Sequence, residues 1–280
     1  MGMISGSLGS HYSIVFLPFI FMLPCPESER NAVNHIEGLG GKTQFAFPAG
    51  FVEHVNLSFT RVNDKDVKAI QSLSHLSVLD LSNTAITDDG LQPLRDLTEL
   101  SGLSLYATRI TGSGLQGLKH MKHLTYLHIG ATRVSDVELK HVGELKNLEE
   151  LHLFKNRISN AGLKSISRLT KLKVLDVDEN QIGDEGCEWI STLENLRRVT
   201  FRETNIGNKG LGYLERTAKL EQIDLRRTNV SDEGLKHLRK LKNLRFIYVR
   251  GTDVTESGIS DLKKHLPNLL TDQDLPNVER

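Results

Sequence analysis

The chain has 280 residues, with lysine plus arginine matched by aspartate plus glutamate at 35 each. Nothing in that balance supplies the domain-wide field expected of a nucleic-acid, membrane-surface or polyanion binder, so any charge selectivity must be local. Two cysteines, Cys25 and Cys187, are too few and too far apart for a disulfide framework.

In chain order, the apolar run from Ser13 to Leu23 is interrupted by Pro18 and is too short to span a bilayer as a helix. Residues 1–26 therefore read as a signal or targeting segment, with lipidation of Cys25 disfavoured by Pro24 before it. Exported and cytoplasmic locations both stay open. Over residues 27–51, Val33, Ile36 and Leu39 mark an amphipathic helix, followed by a Gly-Gly turn and an alternating strand. This reads as an N-terminal cap. The letters "GGKT" at Gly40–Thr43 imitate the end of a phosphate-binding loop, but Ile36 stands where that motif needs glycine, and a helix precedes it instead of a strand.

From Val52 the chain repeats every 24 residues, in nine rows that start at Val52, Leu76, Leu100, Leu124, Leu148, Leu172, Leu196, Leu220 and Leu244. The shared pattern, LxxLxLxxTxITDxGLxxLxxLxx, is clean in "LSVLDLSNTAITDDGLQPLRDLTE" and "LEQIDLRRTNVSDEGLKHLRKLKN". Positions 4 and 6 alternate with polar neighbours, as in a short strand with one buried face. Position 9 is Thr in seven rows and Asn at Asn156 and Asn180, short side chains able to satisfy backbone groups as the chain leaves the strand. Position 12 is usually Ser or Thr, followed by acids and then apolar positions 16, 19 and 22, which predicts a capped helix. Position 15 is glycine in seven rows, and a close approach between neighbouring rows is the suggested cause.

A 24-residue period headed by LxxLxL resembles the leucine-rich repeat family over residues 52–268, in a form similar to bacterial and F-box-associated relatives carrying "ITDxGL". The resemblance implies an α/β solenoid, a horseshoe with parallel strands on the concave face and helices on the convex face. About nine repeats would be closed by caps, the C-terminal one over 269–280, with Leu266, Leu269 and Leu270 completing the core.

Leucines in such a frame are committed to packing, so function is sought among the exposed positions 2, 3, 5, 7 and 8 of the strands. The middle rows place Tyr106, Tyr126, His128, His152 and Phe154 there; the later rows place Arg198, Arg202, Arg226, Arg227 and Arg250 there, with acids between. Two readings of the arginines stay open: an internal salt ladder of Arg202 with Asp178 and Arg226 with Asp224 or Glu203, or a docking surface for an acidic segment. His128, His152 and Asp176 stand on adjacent strands and form a set zinc accepts, but parallel side chains do not converge, so no metal site is assigned. Catalytic and cofactor motifs are absent. The expectation is a monomeric, non-catalytic module that binds another protein on its concave face, without nucleic acid, cofactor or transmembrane span. A substrate-recognition adaptor of a ubiquitin ligase and an exported carbohydrate or cell-surface receptor are the alternatives.

Overall fold

A computed structural model describes residues 25–272 and 274. Most of the signal segment expected over 1–26, and most of the tail after Thr271, lie outside the described residues. The nine rows each contribute a short parallel strand: β2 (Val52–Asn56), β3 (Val78–Asp80), β4 (Gly102–Ser104), β5 (Tyr126–His128), β6 (Glu150–His152), β7 (Val174–Asp176), β8 (Arg198–Thr200), β9 (Gln222–Asp224) and β10 (Phe246–Tyr248). Strand β1 (Lys42–Phe45) is added antiparallel at one end and β11 (Leu270–Thr271) parallel at the other, so the described residues form one open sheet in strictly sequential order. Register advances by 24 residues at each step, as in Leu79↔Leu103↔Leu127↔Leu151↔Leu175, which stacks each pattern position on its counterpart.

The stack buries a continuous ladder of leucines, because a single row has no second layer of its own to cover them. Positions 1, 4, 6, 11, 16, 19 and 22 are the core: in the row from Leu148 these are Leu148, Leu151, Leu153, Ile158, Leu163, Ile166 and Leu169, all at most 1% exposed. Cys187 takes position 16 in its row and is fully buried, which pushes its thiol up and leaves it inert. At the N-terminal end the helix α1 (Glu27–Gly38) adds Ala32, Val33 and Ile36 to the same core. Its Glu29, 2% exposed, accepts the backbone N–H of Val52 at 2.8 Å and so ties α1 to the first row. At the other end Leu266 and Leu269 are buried, but Leu270 is 39% exposed. The expectation for Leu270 is corrected by strand alternation, which turns its neighbour Thr271 inward instead.

Helices follow most strands: α2 (Asp64–Ile70), α3 (Asp136–Val142), α4 (Asn160–Ile166), α5 (Asp184–Ile190), α6 (Asn208–Leu214), α7 (Asp232–Leu235) and α8 (Glu256–His265). The second and third rows depart from the expected helix and form 3-10 turns over Asp88–Leu91, Pro93–Asp96 and Ser113–His120. Pro93 removes a helical N–H donor, and Gly112, Gly114 and Gly117 leave the third row with weak helical preference.

Three small devices shape each row and its junction with the next. At position 9 the threonine hydroxyl donates to the carbonyl three residues earlier, as Thr84 does to Leu81 at 2.6 Å; Asn156 and Asn180 reach across to the preceding row as well. At position 13 the acid does more than flank its own helix. Asp136 accepts from the backbone N–H and hydroxyl of Ser159, one row on, at 2.8 and 2.6 Å; Asp64 and Asp232 treat Thr87 and Thr255 alike. This explains the recurrent glycine at position 15. A Cβ on Gly234 would lie 2.5 Å from Oδ1 of Asn208, the atom that receives the Ser231 N–H. Position 8, finally, is left-handed in all nine rows, from Phe59 (φ 59) to Gly251 (φ 76), although eight of those residues are not glycine.

Candidate functional site

The concave face is built from the side chains that alternate with the buried leucines, plus position 7 just beyond each strand. Register brings the sequence-predicted rings together. Tyr106 comes from the third row, Tyr126 and His128 from the fourth, His152 and Phe154 from the fifth. Their rings touch as one patch: Tyr106–His128 at 5.0 Å between centroids, Tyr106–Phe154 at 5.5 Å, His128–Phe154 at 5.7 Å, Tyr126–His152 at 5.5 Å, and His128 stacked on His152 at 5.0 Å. All five remain partly exposed. Gly130 provides the seat of the Phe154 ring, since a Cβ there would stand 2.6 Å from it and 2.9 Å from His128.

Two adjacent imidazoles are driven in opposite directions. Burial, and then the neighbouring His152 charge, pushes His128 down to about 4, so it is neutral. Its Nδ1 receives the Gly130 N–H at 3.2 Å. Burial disfavours the charge on His152 too, but Asp176 at 3.6 Å and Glu150 at 3.9 Å outweigh it and raise His152 to about 9. The carboxyl of Asp176 is held below its ordinary value, against the cost of burial, by His152 and by the Thr200 hydroxyl at 2.8 Å. The patch therefore carries one cation ringed by carboxylates beside a neutral aromatic surface. The two histidines stack instead of converging, and among the described residues no three His, Cys, Asp or Glu side chains are grouped to hold a metal ion.

The sequence-predicted arginines are placed differently. Arg226 closes on Asp224 through Nε at 3.0 and 2.9 Å and Nη2 at 2.6 Å, while lying 5.5 Å over the Tyr248 ring. Arg202 reaches Asp178 at 3.3 Å and Glu179 at 2.7 Å; Arg227 reaches Glu203 at 2.6 Å. The salt ladder is the arrangement these three adopt. Burial, followed by the Asp176 charge, pushes the Asp178 carboxyl up, and the Thr200 hydroxyl and the Arg202 backbone N–H offset only part of that. Arg198 and Arg250 are exposed, and their guanidinium groups make no ion pair among the described residues. Arg250 is set apart from the rings, since the paired arginines of rows seven and eight stand between it and Phe154. Several positions expected to face solvent are covered, with Ser82, Ser104, Asp178 and Asp224 at most 9% exposed: the two serine hydroxyls bond each other at 2.7 Å, and Arg202 and Arg226 close on Asp178 and Asp224.

The repeat pattern, the buried ladder and the sequential parallel sheet agree with what comparison finds. Leucine-rich repeat family profiles match residues 122–182, 72–94 and 218–238. The matched stretches are leucine-rich repeats, and the fold is that of a leucine-rich repeat solenoid. Among solved structures, internalin C2 of Listeria monocytogenes matches with 24% identity and a TM-score of 0.63, over 80% of this chain and 92% of that one. The plant peptide hormone receptor RGFR1, in complex with RGF2, matches with 20% identity and a TM-score of 0.55, over 82% of this chain. The PEPR1–AtPEP1 structure matches with 18% identity and a TM-score of 0.57, also over 82%. This chain spans only 39% and 35% of the matched receptor chains. Comparison with curated proteins finds no sequence match. Among the described residues no helix is long and apolar enough to cross a membrane.

Proposed function

We propose that this leucine-rich repeat chain is a non-catalytic protein-interaction module whose concave face receives a partner at the ring patch of Tyr106, Tyr126, His128, His152 and Phe154. One observation carries the reading: three consecutive rows place on the concave face five rings, joined in one contact network, that the leucine core does not need. Large, rigid rings with polar tips give contact area at little entropic cost, which is why tyrosine is over-represented where binding energy concentrates. The structural neighbours favour the same class, since RGFR1 was solved with RGF2 bound. Arg198 and Arg250 are secondary contacts in this reading, and Arg202, Arg226 and Arg227 serve mainly to hold the acids beside them.

The test is affinity capture from cells of the source organism with the full chain as bait, alongside a Tyr126→Ala, Phe154→Ala variant and an Arg227→Gln control. A partner held by the wild type and control but lost from the ring variant supports the proposal. Equal recovery by all three baits, with each variant shown to be folded, overturns it.

A further inference from the structure

Position 10, the residue after the Thr or Asn bridge, lies outside the display positions considered above, and it holds Arg109, Arg133 and Arg157 in three consecutive rows. Their backbone N–H groups donate to the carbonyls of Ile86, Ile110 and Val134 at 2.8, 3.1 and 3.1 Å. That ladder fixes the three residues in register, one strand spacing of about 4.8 Å apart. All three side chains are exposed, and none makes an ion pair or hydrogen bond among the described residues. Lys155, exposed at position 8 of the same fifth row, adds a fourth cation. The other residues at positions 8 and 10 of rows two to five are Asn83 and three alanines, so no carboxylate at these positions interrupts the strip.

Among the later rows, Arg198 and Arg250 are likewise unpaired, but they stand singly, whereas the stacked position-7 and position-8 arginines are answered from within the chain. Arg202, Arg226 and Arg227 each have an acid of the chain itself within 3.3 Å. Nothing comparable answers Arg109, Arg133 and Arg157. Like charges stacked on adjacent strands repel, a cost that an acidic partner removes. The strip also adjoins the ring patch, because Tyr106 and Phe154 stand three residues before Arg109 and Arg157 in the same rows.

Resting on the concave-face reading above, we propose that Arg109, Arg133, Arg157 and Lys155 form a docking strip along the rim of rows three to five for a carboxylate-rich, extended segment of the protein partner. A nucleic acid fits less well. The rings of the patch are packed on one another instead of standing free to stack bases, and Asp80, Glu150 and Asp176 on the concave face would oppose a continuous phosphate backbone. A peptide can place acids only where the strip receives them.

The experiment titrates two labelled probes by fluorescence anisotropy at low and moderate salt: an unstructured peptide of alternating Glu and Gly carrying one Tyr, and a single-stranded oligonucleotide of equal charge. The proteins are the full chain, the Arg109→Gln, Arg133→Gln, Arg157→Gln variant, the Tyr126→Ala, Phe154→Ala variant and Arg227→Gln, each checked for unfolding temperature. The strip predicts peptide binding that weakens with salt, a dissociation constant raised about tenfold in the triple arginine variant, and no change in Arg227→Gln. Undiminished binding by the triple variant, no binding by the wild type, or tighter binding of the oligonucleotide overturns it. Loss confined to the ring variant sinks the strip and leaves the concave reading in place. Loss confined to the triple variant supports the strip and counts against the rings as the main contact.

Discussion

Replacing Arg226 by glutamine separates an arginine that holds the fold from one displayed to a partner. Asp224 is 4% exposed, and its carboxylate is capped by three guanidinium contacts between 2.6 and 3.0 Å. Removing one partner of such a pair strands a charge with little access to water, which costs about 3–5 kcal/mol when both groups are fully buried. Two features reduce that here. The Arg226 side chain is 26% exposed, and Asp224 keeps the N–H of residue 226 at 3.0 Å, so a loss of about 2 kcal/mol is expected. For a chain of this size that corresponds to an unfolding temperature lower by about 4–8 °C. Arg227, whose side chain is 68% exposed where it meets Glu203, is the internal comparison: Arg227→Gln should cost about 0.5 kcal/mol or less. Thermal and urea unfolding of both variants, with Asp224→Asn and the Arg226→Gln, Asp224→Asn double variant to complete the cycle, measures the coupling. If Arg226→Gln is as mild as Arg227→Gln, or if the two sites in the cycle are additive, Asp224 does not depend on Arg226 and the structural assignment of this arginine fails.

Three further outcomes follow from the geometry. Gly234→Ala should destabilise by about 1–3 kcal/mol because its Cβ meets the anchored Asn208 side chain, whereas Gly117→Ala, with no atom nearer than 3.9 Å, should be neutral or stabilising; paired urea melts decide it. Lys155→Gly relieves a left-handed non-glycine residue (φ 53) and should raise stability by about 0.5 kcal/mol in the same assay. The two histidines should titrate apart by NMR. His152, raised from 6.5 to about 9, contributes stability that is complete below pH 6.5 and disappears as pH climbs through 9; His128, lowered to about 4, contributes stability that is complete above pH 6.5 and disappears as pH falls through 4. In His152→Gln the His128 value should move up, and an unchanged titration would show that the His152 charge does not reach it.

The sequence made the rows legible because packing repeats: a leucine at position 4 faces the same surroundings in every row, so Leu79, Leu151 and Leu175 identify one another. The site was legible only in part. Position 7 reveals that Tyr106 and Phe154 are displayed, and the 24-residue register makes them neighbours, but whether their rings meet depends on ångström-scale orientation and on the gap left at Gly130. The pairing of Arg226 was equally hidden, since Asp224 and Glu203 are both within reach in the alphabet of the pattern and only geometry selects between them. The link from Asp136 to Ser159 crosses 23 residues of sequence, so a reading of each helix by its own cap assigns the acid to the wrong turn. Arg109, Arg133 and Arg157 were within reach of the sequence: the same 24-residue column at position 10 displays them, but a reading confined to the strand and the two residues after it passes them over.

The most direct test of concave-face binding is site-specific photocrosslinking in cells of the source organism, with a photoreactive amino acid placed at Tyr126 on the concave face and, in a separate protein, at Trp189 on the helical face. The account predicts a discrete protein adduct from position 126 and none from position 189. Adducts only from position 189 would place the partner on the convex side and contradict the account.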